Sequence, residues 1–182
     1  MSRKILQWCS AGSLLLLLVL AACNSTLPPP PSNNIALNQL PRCSNEPATF
    51  FQDDSQSPPT ILTDWQMVKS DLGFTIFLPT TFPKGTCLVK GHAIVHDQVV
   101  VSQFSVSYLL SGNLPLAISE TPLDGTPVPT LQCLPDASNK GSLECLGSID
   151  QTSIVFDSSA TDTRLQTLFK SLKPNVDWIP RH

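Results

Sequence analysis

The sequence has few charges and no basic run. Charged residues make up 14% of its 182 positions, and 11 Lys and Arg stand against 14 Asp and Glu, which gives a formal net charge of −3. A nucleic-acid surface needs clustered Lys and Arg to neutralise phosphates, and electrostatic attachment to anionic lipid needs a polybasic segment. We therefore expect no nucleic-acid partner and no polybasic contact with a membrane.

Catalytic and cofactor motifs are also missing. The sequence has no G-x-S-x-G, S-x-x-K, H-E-x-x-H, P-loop or G-x-G-x-x-G pattern. Its one pair of adjacent carboxylates, Asp53 and Asp54, lies in a proline-rich stretch where burial cannot raise a pKa for acid-base work. We expect no catalytic residue, no cofactor and no enzymatic activity.

The sequence offers little to a metal ion. His92 and His96 have the i, i+4 spacing that would join two imidazoles on a helix, but their segment is typical of a strand followed by a turn. Four residues of strand span ~13 Å, which is too far for one ion. Because no two cysteines are spaced as C-x-x-C either, we expect no metal site.

The first residues have the pattern of a secretory signal. Arg3 and Lys4 precede an uncharged apolar run that ends in Leu20-Ala21-Ala22-Cys23. That ending resembles the bacterial lipoprotein box, in which the cysteine receives diacylglycerol and becomes the mature N-terminus. The resemblance implies a lipid anchor, with palmitate, at Cys23 and a location on the extracytoplasmic face of a bacterial cell membrane. The alternatives are an uncleaved anchor helix and a secreted protein without lipid.

Three segments follow from this interpretation: a signal peptide at 1–22, a lipidated tether at 23–59 and a globular domain at 60–182. The tether range holds four consecutive prolines, Pro28 to Pro31, among polar residues and shows no sustained apolar period. Such composition cannot bury enough surface to offset chain ordering. As a flexible chain the tether would reach ~35 Å.

Four cysteines remain for the exported part of the chain. An even number in that compartment favours disulfides, for which three connectivities are possible. Cys133 and Cys145 flank a polar turn between two predicted strands, so we expect them to pair, which leaves Cys43 to pair with Cys87. The second bond would bring residues 35–50 onto the domain.

Periodicity predicts an α+β domain in which two helices pack on one face of an antiparallel sheet of about six strands. The first helix runs from Thr63, its N-cap, to about Ser70. The second carries Leu165, Leu168 and Phe169 on one face. The predicted strands lie at 74–78, 87–95, 99–110, 114–120, in the hairpin around residues 133 and 145, and at 152–156.

The stretch Gly73-Phe74-Thr75-Ile76-Phe77-Leu78-Pro79, followed by Pro83-Lys84-Gly85, resembles a family of bacterial extracytoplasmic domains of unknown function. That family occurs in lipoproteins and in membrane-bound regulators related to anti-sigma factors and sporulation. The likeness covers residues 64–172 and includes Tyr108 in the meander and Ser171-Leu172 at the end. A fainter likeness is to a small α-β sandwich shared by some lipoproteins and photosystem proteins. Both imply a binding or assembly module and transfer no catalytic residue.

Two functions remain open. The first is a non-enzymatic binding or assembly module of the cell envelope, with an envelope protein as its possible partner. The second is a carrier or sensor of a small hydrophobic ligand or lipid, in which the sheet would curl around a cavity lined by Phe104, Val106 and Tyr108.

Overall fold

The structure, a computed structural model, describes residues 33–44, 49–52, 60–61, 65–94 and 101–174, and residues from Asn33 onward form one compact unit. It is mainly β, with two α-helices in the described residues. The strands are β1 (Asn34–Ala36), β2 (Thr49–Gln52), β3 (Thr60–Ile61), β4 (Phe77–Pro79), β5 (Thr81–Pro83), β6 (Cys87–Ile94), β7 (Gln103–Leu110), β8 (Leu114–Pro122), β9 (Gln132–Pro135), β10 (Leu143–Ile149), β11 (Thr152–Ser158) and β12 (Leu172–Pro174). The helices are a 3₁₀ turn (Leu37–Gln39), α1 (Trp65–Asp71) and α2 (Asp162–Lys170).

The main sheet has eight strands in the order β3-β2-β6-β7-β8-β11-β10-β9. Six of them, β6 to β11, form the expected antiparallel sheet, and β2 adds to its edge in parallel with β6. Two antiparallel ribbons, β1-β5 and β12-β4, complete the described strand pairing. The expected sheet of about six antiparallel strands is therefore present, and β2 and β3 extend it at one edge.

Burial alternates along the central strands as the sequence predicts. In β7 the side chains of Phe104, Val106, Tyr108 and Leu110 are buried, whereas the residues between them are only half-buried. Such a sheet, packed on one face and wetter on the other, is usual for antiparallel strands. Each large apolar side chain removed from water stabilises the fold by ~1.5–3 kcal/mol.

Helix α2 also follows its predicted periodicity. Leu165, Leu168 and Phe169 are buried, and the Phe169 ring meets Phe156 of β11 edge-on at a centroid distance of 6.1 Å. Helix α1 ends at Asp71, and Gly73, at φ +71°, takes the left-handed conformation expected after a helix. Thr63, its predicted cap, lies outside the described residues. Neither α-helix in the described ranges is long and apolar enough to cross a membrane.

The predicted strand at 74–78 is wrong in its bounds and in its alternation. Strand β4 begins only at Phe77, and Phe77, Leu78 and Pro79 are all buried. The backbone before it is held by side chains of the main sheet: Thr152 donates its hydroxyl to the carbonyl of Thr75 at 2.7 Å. The N–H of Phe77 donates to Glu120 Oε2 at 2.9 Å. Residues 74–76 are therefore anchored without any strand partner in the described chain.

Part of the predicted tether belongs to the compact unit. Leu37 and Leu40 are buried in the core, and β1 pairs with β5. Residues 41–43 run beside β6, where the N–H of Cys43 donates to the carbonyl of Leu88 at 2.9 Å. The compact unit thus begins at Asn33 and not at Thr60. Composition does not predict this, because a few buried apolar residues and backbone pairing with a distant strand are enough to hold the segment.

The cysteines pair as expected from the sequence. Cys43 is bonded to Cys87, 44 residues away, and Cys133 is bonded to Cys145, 12 residues away. Cys133 and Cys145 lie opposite each other on the paired strands β9 and β10. Loop entropy assigns ~4 kcal/mol to the longer closure and ~3 kcal/mol to the shorter. The longer bond ties the segment that contains β1 to the main sheet.

Gly147 of β10 is required by a close approach of helix α2. A Cβ at this position would lie 2.7 Å from two ring carbons of Phe169. Since Phe169 is packed in the core, we expect Gly147→Ala to destabilise the fold by ~1–3 kcal/mol, measured by urea unfolding. A double-mutant cycle with Phe169→Leu should recover part of this loss, and strictly additive effects would contradict the contact.

Candidate binding groove

A groove of about 300 Å³ lies between helix α2 and the β1-β5 ribbon, and we call it the α2 groove. Its wall on the helix side comes from the N-cap, the polar face and the end of α2. Its other wall comes from β5 and from the first residue of β1. The lining residues are Asn34, Thr81, Phe82, Pro83, Thr161, Thr163, Arg164, Thr167, Leu168 and Ser171.

The ribbon wall is fixed by backbone hydrogen bonds from the segment that precedes the domain core. The N–H of Leu37 donates to the carbonyl of Thr80 at 3.0 Å, and the N–H of Lys84 donates to the carbonyl of Asn33 at 2.8 Å. These bonds flank β5 on both sides. The groove therefore exists only because residues from the predicted tether range pair with β5.

Phe82 is the core residue at the floor of the groove. Its side chain is 1% exposed, and its ring centroid lies 4.5 Å from that of Tyr108 in β7. Such tilted aromatic contacts add ~0.5–1.5 kcal/mol to the burial itself. The floor of the groove is thus continuous with the packed core under the sheet.

Arg164 is the one charged residue among the ten that line the α2 groove. Its Nη2 donates to Ser111 Oγ at 2.8 Å, and its Nη1 donates to the Ser111 carbonyl at 3.4 Å. Ser111 begins the β7-β8 turn, in which Gly112 and Asn113 both take positive φ angles of 88° and 59°. This turn chemistry, expected from Ser-Gly-Asn, fixes the position of the guanidinium.

Hydroxyl groups make up most of the remaining polar lining. Thr161 caps α2 with its backbone only and makes no side-chain capping hydrogen bond. Thr167 Oγ1 donates to the carbonyl of Thr163 at 2.9 Å, and Ser171 Oγ donates to that of Leu168 at 2.7 Å. Because a hydroxyl has two acceptor lone pairs, the oxygens of Thr167 and Ser171 can still accept from a ligand.

The buried carboxyl group of Glu120 accepts a hydrogen bond from Phe77 in β4, the strand that precedes the groove wall β5. Glu120 is 0% exposed, and its Oε1, like the hydroxyl of Tyr108, has no hydrogen-bond partner in the described residues. Burial raises the pKa of Glu120 well above its ordinary value, and the Phe77 N–H opposes this shift. Burial, and then the charge of Glu120, raise the pKa of Tyr108.

Of the residues considered for lipidation or for a histidine metal site, only His92 lies in the described part of the chain. Cys23, His96 and the predicted signal peptide lie outside the described residues. His92 is half-buried on β6, opposite Ser105, and burial followed by the charge of Lys90 lowers its pKa. Within the described ranges no three His, Cys, Asp or Glu residues are grouped so as to hold a metal ion.

Phe104, Val106 and Tyr108, named as a possible cavity lining, are part of the hydrophobic core. The α2 groove itself was not predicted. The available signal was the recurrence of threonine at positions 161, 163 and 167, beside an arginine, on the polar face of a predicted helix. Nothing in the sequence shows which strand would face it.

No family model and no curated protein matches this chain. The resemblance seen at residues 73–85 therefore stays a prediction.

Replacing the buried carboxyl should change how stability depends on pH. Because the pKa of Glu120 is raised in the folded state, its contribution is full below about pH 4.5, its ordinary pKa, and is lost as the pH rises toward the folded value. The loss is at most ~1.4 kcal/mol per pH unit. We expect Glu120→Gln, whose amide oxygen can still accept from Phe77, to remove this slope in urea unfolding.

The matched control is Glu144→Gln, which removes an exposed carboxyl from β10. We expect it to follow the profile of the parent protein. If the parent and Glu120→Gln lost stability in parallel between pH 5 and pH 8, the buried carboxyl would not carry the effect.

Proposed function

We propose that this protein is a lipid-anchored extracytoplasmic module that binds a component of the bacterial cell envelope without catalysing a reaction. The anchor is assigned to Cys23, and the binding site to the α2 groove. The signal-like start, the lipoprotein-type box and two disulfides support export, because disulfides persist in oxidising compartments. The single observation that carries the binding role is the α2 groove itself.

The chemistry of the groove favours binding over catalysis. A general base must accept a proton, and an arginine guanidinium cannot do so. The serine and threonine hydroxyls in the lining have no histidine, carboxylate or lysine beside them among the ten lining residues, so none is activated as a nucleophile. These side chains can orient and hold a ligand.

Both helices contribute to the same core, which supports the finer α+β arrangement with the two helices on one face of the sheet. Val68, in the middle of α1, and Leu72, just after its end, belong to one buried cluster with Leu165 and Leu168 of α2. On this arrangement the helices cover the apolar side of the sheet, and the groove opens beside α2.

The carrier hypothesis has less support. The residues proposed to line a hydrophobic cavity are packed against other core side chains, and seven of the ten α2 groove residues are polar. A hydrophobic ligand would leave those polar groups desolvated without partners. Extracting the full chain with organic solvent would favour a carrier only if it released stoichiometric noncovalent lipid.

The lipid anchor has a direct test at one residue. We expect full-length protein expressed in a bacterium to incorporate radiolabelled palmitate and to fractionate with membranes, because two acyl chains hold a protein firmly on a bilayer. Cys23→Ala should lose both properties, whereas Cys9→Ala, within the signal segment, should keep them. Label in the Cys23→Ala protein would contradict the assignment.

Binding through the groove can be tested by site-specific photocrosslinking in native envelopes. A photoreactive residue at Thr167, which is exposed and lines the groove, should give a discrete adduct. The same residue at Asp157, exposed on β11, is the control and should not. The molecule captured in the adduct must be identified and must bind the purified protein. Thr163→Trp, which fills the groove, should abolish the adduct. Equal adducts from both positions would contradict a role for the groove.

A further inference from the structure

We infer that the α2 groove binds the oxyanion, a carboxylate or a phosphate, of a small polar ligand, and that Arg164 is the residue that holds it. This inference rests on the proposed function, since it names the ligand chemistry of the same groove. Three features carry it: the fixed position of the guanidinium, its surroundings and the hydrogen-bonding capacity of the remaining lining.

The guanidinium is held in place before any ligand arrives. Both of its terminal nitrogens donate to Ser111, one to the hydroxyl and one to the carbonyl. An arginine has five N–H donors in a planar fork, so three remain for other acceptors. Fixing the fork in advance reduces the side-chain entropy that is lost when an anion binds.

Arg164 also differs in its surroundings from three lysines on β12, α2 and the β5-β6 turn. It is half-buried in the lining of a groove, whereas Lys84, Lys170 and Lys173 are exposed. A cation that is partly withdrawn from water attracts an anion more strongly than a cation on an open surface. No carboxylate belongs to the ten lining residues, so an oxyanion entering the groove would meet no negative side chain there.

The rest of the lining suits a ligand that is polar but has apolar carbon. The hydroxyls of Thr81 and Thr163 can donate to or accept from ligand hydroxyl or amide groups, whereas that of Thr167, which donates to the Thr163 carbonyl, can only accept. Half-buried Pro83 supplies apolar contact surface, while Phe82 and Leu168 are almost wholly buried beneath it. A volume of about 300 Å³ is at the lower end for ligand pockets, which fits a small molecule or the end of a longer one.

The test is an NMR titration of the full-length chain with inorganic phosphate and, separately, with acetate. We expect saturable shifts of the amide signals of residues 161–168 with at least one of these probes. Arg164→Gln should weaken that binding at least about tenfold, because it removes the charge-assisted bonds. Phosphate binding more tightly than acetate would indicate a phosphorylated ligand, and the reverse a carboxylated one.

Two variants separate a site from a general charge effect. Lys170→Gln removes the same charge from an exposed position on the same helix, and we expect it to bind the probe as the parent does. Thr167→Trp fills the groove without changing charge, at an exposed position that should tolerate it, and should also weaken binding. Thermal unfolding of each variant checks that it is folded.

Several results would overturn the inference: no saturable shift with either probe, equal binding by Arg164→Gln and the parent, or an equal loss in Lys170→Gln. These results are distinct from failure of the proposed function. An adduct at Thr167 with no oxyanion binding would contradict the ligand chemistry and keep the binding module. Oxyanion binding with no groove adduct in envelopes would keep the ligand chemistry and contradict the envelope-binding module.

Discussion

The hydrogen bond from the Phe77 N–H to the buried carboxyl of Glu120 is the contact on which the position of β4, and of β5 after it, depends. Glu120 lies on the inner face of β8, where its neighbours along the strand, Ile118 and Leu116, are apolar. Burying a carboxyl group costs free energy unless it is bonded or neutral. The cost is tolerated here because the carboxyl accepts a hydrogen bond from the backbone N–H of Phe77, the first residue of β4, which would otherwise be buried without a partner.

The consequences of that anchor extend to the groove. With Thr75 held by Thr152 and Phe77 held by Glu120, the chain is directed into β4, which pairs with β12, and then into β5, which pairs with β1. Helix α2 comes directly before β12. Both walls of the α2 groove are thus connected to β4 and β12. The disulfide between Cys43 and Cys87 secures the segment that supplies β1.

Local sequence patterns predict the parts of the fold whose partners are close in sequence. The meander β6-β7-β8, the hairpin β9-β10, strand β11 and helix α2 all follow from alternation, turn residues or helical periodicity. The strand predicted at 74–78 fails because side chains from strands some 43 to 77 residues away engage its backbone. A hydrophobic pattern contains no information about such bonds.

The groove was beyond prediction for the same reason. Its ribbon wall joins Asn34–Ala36 to Thr81–Pro83, and the first of these segments has the composition of a tether. The sequence alone indicates only that Arg164 is a cation on the polar face of a helix. The sequence does not show that the β7-β8 turn brings Ser111 against its guanidinium. Composition can show that a segment is short of apolar surface, but not that a distant strand will hold it.

The charge of the chain bears on the anion binding that we propose for this groove. Without residues 1–22 the chain has 9 basic and 14 acidic residues, so its long-range field repels anions. At physiological ionic strength that field is screened beyond ~8 Å, whereas a partly buried hydrogen-bonded pair is screened much less. Binding at Arg164 would therefore depend on contact geometry and not on steering. On the binding that we propose, the protein would repel most anions and would accept one only where the fixed guanidinium and the threonine hydroxyls fit it together.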